Sequence, residues 1–100
     1  MDVSSRLEEV RGKIHRALDA VESDDSASPV LTAVVREFSA KAQKAAKTAE
    51  GGDGREAVIE LEQAGDSAKA AAEADPGVGE STRQAILDAH LAICVLKASL

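Results

Sequence analysis

Aromatic residues are all but missing: Phe38 stands alone in a chain of 100 residues, with no Trp and no Tyr. Without rings there is no platform on which unpaired bases can stack. Cations are the minority as well, 12 Lys and Arg against 18 Asp and Glu, for a net charge of −6. A duplex binder carries the opposite balance, so nucleic acid is not an expected partner. A single cysteine, Cys94, leaves no internal disulfide to form and gives no sign of an oxidising compartment. The stretch Met1-Asp2-Val3-Ser4-Ser5-Arg6 lacks the basic-then-apolar order of a signal peptide. No uninterrupted apolar run approaches the length of a bilayer span. The expectation is a cytoplasmic protein with no membrane association.

What the chain does have is alanine, twenty of them, the strongest helix former. Alanine and acid at these levels suit a GC-rich bacterial source. Three clusters of breakers divide the sequence. In the first, Ser28 suits an N-cap and Pro29 the first helical position. In the second, Gly51 can end a helix, and Asp53 with Glu56 has capping-box spacing. In the third, Asp75-Pro76-Gly77 precedes Ser81 and Gln84 at the same spacing, and Ser5 with Glu8 repeats it near the start. Four helices follow, at about 5–22, 29–50, 54–74 and 81–99.

Apolar periodicity agrees with that division. The first helix carries one narrow seam, Val3, Leu7, Val10, Ile14, Ala17 and Val21. The second runs from large to small on one face, Leu31, Val34, Val35 and Phe38 giving way to Ala42, Ala45 and Ala49. The third does the same, from Val58 and Leu61 to Gly65, Ala68 and Ala72. Paired antiparallel, the large end of each meets the small end of the other, as a close-packed interior requires. Their charges, net +2 and −4, also attract. The fold read from these patterns is all-α, an up-down-up-down four-helix bundle with left-handed coiled-coil-like packing in one domain. Its rival is a three-helix core with the first helix swapped or loosely docked.

The fourth helix is too apolar for that role. Ala85, Ile86, Ala89, Ile93, Leu96 and Leu100 share one face, while Leu87, Leu91, Cys94 and Ala98, with Val95 beside them, form a second stripe. Either the helix is central and covered all round, or the second stripe is an interface. The interface reading gives Leu87, Leu91, Cys94, Val95 and Ala98 to a homodimer or to another protein partner.

Candidate chemistry is sparse. His90 and Cys94 stand four apart on one helical face, a spacing at which two side chains can share a metal, and His15 lies at a comparable height in the first helix. No second cysteine, Cys-x-x-Cys or Glu-x-x-His supplies further ligands, so neither a metal nor any other cofactor is expected. A phosphoryl-carrying histidine on a helical bundle is the alternative, as in histidine phosphotransfer domains. Those place a lysine and a small residue in the next turn, whereas His15 is followed by Arg16-Ala17-Leu18-Asp19 and His90 by Leu91-Ala92-Ile93-Cys94. The basic stripe Arg36, Lys41, Lys44 and Lys47 reads as a solvated face or a docking surface for an acidic protein. With no nucleophile, base and oxyanion donors to name, the expected role is non-catalytic and works through protein association.

Overall fold

The computed structural model describes residues 3–50 and 54–100. Its four helices are α1 (Val3–Glu22), α2 (Pro29–Glu50), α3 (Gly54–Ala74) and α4 (Glu80–Ala98). Each packs on its neighbours in the chain, and α4 closes the square against α1. The result is an all-α four-helix bundle, 40 Å along its axis and 20 by 17 Å across. The first helix is firmly docked: Leu7, Ile14, Ala17 and Val21 are fully buried, which removes the loosely docked form of the three-helix rival.

Pro29 opens α2 as expected, and the Ser28 hydroxyl accepts the Leu31 N–H at 3.1 Å. Two expected caps are corrected. α1 already begins at Val3, so Ser5 lies within its first turn. α4 starts at Glu80 with Gly79 as N-cap, which puts Ser81 inside the helix. Gly79 has no side-chain cap on the helix; its own N–H is held by a distant residue, Asp24, at 2.8 Å. The expected cap at Gly51 to Asp53 lies outside the described residues.

That contact has a mirror image. Asp75, in the loop after α3, accepts the N–H of Ser28, the residue before α2, at 2.8 Å. Each carboxylate also turns its second oxygen to its own loop, Asp24 to the Ser26 N–H at 2.9 Å and Asp75 to the Gly77 N–H at 3.0 Å. Residues 24, 26 and 28 therefore correspond to 75, 77 and 79, a constant offset of 51. The offset extends through the core. On α1, Leu7, Val10, Ile14, Ala17 and Val21 point inward, and on α3 so do Val58, Leu61, Gly65, Ala68 and Ala72. On α2 the buried positions Leu31, Val35, Phe38, Ala42 and Ala45 match Thr82, Ile86, Ala89, Ile93 and Leu96 on α4. The bundle is a helical hairpin followed by its structural twin.

Antiparallel pairing of α2 with α3 brings large against small. Leu31 shares a groove with Ala71. Midway, a methyl group placed on Gly65 would stand 3.1 Å from the Phe38 ring and 3.3 Å from Ile93. Phe38, fully buried, fills the room that Gly65 leaves. Burying a side chain of that size contributes about 2–3 kcal/mol.

Candidate functional site

The fourth helix is not central. It buries Ile86, Ala89, Ile93 and Leu96 and turns its second stripe to solvent. Leu91 is 61% exposed and Val95 51%, while Ala98 is exposed and Leu87 and Cys94 are half-buried at the edge. All-round burial of α4 is thereby overturned. Beside the stripe lies a groove between α4 and α1, into which Leu91, Ala92 and Val95 project together with Val10. Arg6 and Lys13 rim it with positive charge, Glu9 and Asp88 with negative.

The twin of this surface is the outer face of α2. At the positions of Leu87, Val95 and Ala98 it carries Arg36, Lys44 and Lys47, three residues of the predicted basic stripe. The structure splits that stripe. Arg36 leans towards α1 and pairs with Glu22 at 3.0 Å, whereas Lys41 is half-buried in the α2–α3 groove alongside Glu56 and Glu60. Lys44 and Lys47 remain exposed.

The two histidines are not brought together. His15 lies in the α1–α2 groove and faces the Asp19 carboxylate at 3.5 Å. His90 lies on the α3–α4 seam, where its Nε2–H donates to Asp66 Oδ1 at 2.7 Å; an ionised carboxylate can only accept, which fixes the tautomer. Cys94 Sγ is 3.5 Å from the same Nε2. Glu62, one turn before Asp66 on α3, accepts from Lys97 Nζ at 2.8 Å. Burial first, then the negative charges of Glu62 and Asp66, push the Cys94 thiol above its ordinary value, with Lys69 opposing. A thiol held protonated in this way is a poor nucleophile. The same carboxylates repel a phosphoryl group at His90.

Asp66 and Glu62 were not assigned to this cluster from sequence. The available signal was their own four-residue spacing on the acidic α3, opposite the four-residue spacing of His90 and Cys94. Comparison with family models, with curated proteins and with solved structures yields no match. Among the described residues no helix is long and apolar enough to cross a membrane.

Proposed function

We propose that this is a cytoplasmic, non-catalytic association protein that pairs with a second copy of itself through the outer face of α4. The observation that carries the reading is the exposure of Leu91 and Val95 beside a groove with an apolar floor and a charged rim, on a face whose twin bears cations. The α2 twins of Leu91 and Val95 are Ala40 and Lys44, and those of Leu87 and Ala98 are Arg36 and Lys47, so the fold does not call for a large apolar surface on α4. An unpaired stripe of this kind in water is costly and marks a contact site.

A second copy fits better than an acidic or basic partner because the groove rim is balanced. Its two cations and two anions give no net charge on a chain of −6. Two such rims facing across a two-fold axis place unlike charges within reach of each other. Elsewhere the like charge of two copies holds them apart.

Sedimentation velocity tests this directly. The wild-type chain is expected at twice its 10.3 kDa mass, and Leu91→Glu at the single mass with unchanged helical circular dichroism. A glutamate at the centre of the contact should raise the dimer dissociation constant at least about tenfold. A wild-type chain that stays monomeric at the highest attainable concentration overturns the proposal.

A further inference from the structure

The α3–α4 seam holds a second feature, which meets the dimer face at Cys94 on the edge of the outer stripe. Asp66, His90 and Cys94 each present one ligand atom, and the three atoms lie within 4.8 Å of one another. They come from two antiparallel helices, with Glu62 one turn before Asp66 on α3. The twin seam between α1 and α2 provides an internal comparison. At the positions of Glu62, Asp66, His90 and Cys94 it carries Arg11, His15, Ser39 and Gln43, which line one groove and bring a cation and a neutral amide where the other seam has a carboxylate and a thiol. The scaffold therefore does not dictate this donor set.

We propose that Asp66, His90 and Cys94 bind a divalent transition-metal ion of zinc's type, with Glu62 or a water completing four-coordination. A mixed nitrogen, sulfur and oxygen set suits borderline ions and is a poor match for magnesium or calcium. A tetrahedral zinc with Zn–N of about 2.0 Å and Zn–S of about 2.3 Å separates those two donors by about 3.5 Å. Nε2 and Sγ already stand 3.5 Å apart. The oxygen must open from its 2.7 Å contact, and the Asp66 side chain, 61% exposed, is free to do so. His90, only 16% exposed, holds the imidazole in place. On binding, the thiol proton passes to solvent and the ring proton moves from Nε2 to Nδ1, so the ion replaces a hydrogen-bond network. Lys97 and Lys69 are the opposing charges nearby. Lys97 must release Glu62 if that carboxylate ligates.

Titration with Zn²⁺ by calorimetry, and with Co²⁺ by absorption, tests the site on the full chain. One ion per chain is expected, with a sulfur-to-cobalt charge-transfer band and the visible bands of tetrahedral cobalt. Cys94→Ser should abolish the charge-transfer band, and His90→Ala or Asp66→Asn should weaken binding by about tenfold or more, each with circular dichroism checked for an intact helical fold. His15→Ala should leave binding unchanged. Because the site lies within one chain, Leu91→Glu should bind the ion as well as wild type whatever the outcome for the dimer. Absence of 1:1 uptake, or uptake undiminished in both Cys94→Ser and Asp66→Asn, overturns the proposal.

Discussion

The two hairpins, α1–α2 and α3–α4, share a backbone plan and part company in what they show to the outside. Their inward positions match one for one at a constant offset, and their loop carboxylates make equivalent bonds. Outward, α2 offers Arg36, Lys44 and Lys47 where α4 offers Leu87, Val95 and Ala98. At the seams, Arg11, His15, Ser39 and Gln43 stand against Glu62, Asp66, His90 and Cys94. A shared scaffold with divergent surfaces separates what folding needs from what it does not. The residues that differ at equivalent exposed positions are the ones free to serve an activity.

The sharpest way to break the comparison is at a layer where the halves depend on each other. Phe38→Ala empties the space over Gly65 and should cost about 3–5 kcal/mol in urea unfolding. Leu91→Ala, on the outer face, should change the chain's own stability by no more than about 0.5 kcal/mol once dissociated. Next in size is the effect on assembly. Ala40 is the α2 twin of Leu91, and both are exposed. Ala40→Glu should leave the sedimenting mass at its wild-type value while Leu91→Glu halves it. Equal behaviour of the two would show that the hairpins' outer faces are equivalent after all.

The loop carboxylates provide a smaller effect with a definite sign. The Gly79 N–H, then the Ser26 N–H and the Thr82 hydroxyl, hold Asp24 below the usual carboxylate range, and the Ser28 and Gly77 N–H groups do the same for Asp75 against its burial. Both groups titrate lower when folded than when unfolded. Their stabilisation is thus complete above the ordinary aspartate value of 3.8 and is lost as the pH falls through the lower folded values. The melting temperature should be level from neutrality down to about pH 5 and fall below about pH 4. Asp75→Asn keeps one acceptor oxygen where two are used, so it should lower the neutral melting temperature by about 5 °C and flatten the acid decline. A decline as steep as wild type would show that other carboxylates govern acid unfolding.

The finest test sets two helical glycines side by side. Nothing lies within 4 Å of a methyl group built on Gly12, so Gly12→Ala should stabilise by about 0.5–1 kcal/mol. Gly65→Ala gains the same helix propensity but presses on Phe38 and Ile93, both fully buried. Overpacking of about 1–3 kcal/mol outweighs that gain, so this variant should unfold earlier than wild type.

Much of this architecture was legible from the chain itself. The large-to-small gradients of α2 and α3 gave the antiparallel pairing, and Ser28-Pro29 marked the start of α2 correctly. The twofold repetition was hidden because close packing asks for opposites at equivalent positions. Ile14 corresponds to Gly65 and Phe38 to Ala89, so the halves complement each other in volume where they might have matched in identity. Ser81 and Gln84 have the local spacing of a cap, whereas the group that holds the Gly79 N–H is Asp24, 55 residues away. Asp66 escaped assignment to His90 for a related reason. Periodicity tells which residues share a face of one helix, but the rotation of that helix against its neighbour is set by packing across the whole core.

Alanine-lined helices are smooth, and a smooth surface fits nearly as well one turn further along. The Phe38–Gly65 fit holds the middle layer in register, whereas Ala17, Ala42, Ala45, Ala68, Ala72 and Ala89 resist such a slip less. The crossed carboxylates at the end of the bundle act as an index mark. Displacing one half past the other by a single helical turn, about 5.4 Å, would pull Asp24 from Gly79 and Asp75 from Ser28 together. Alignment along the axis is therefore shared between the Phe38–Gly65 layer and two hydrogen-bonded loops, which leaves the bundle's flanks free to diverge.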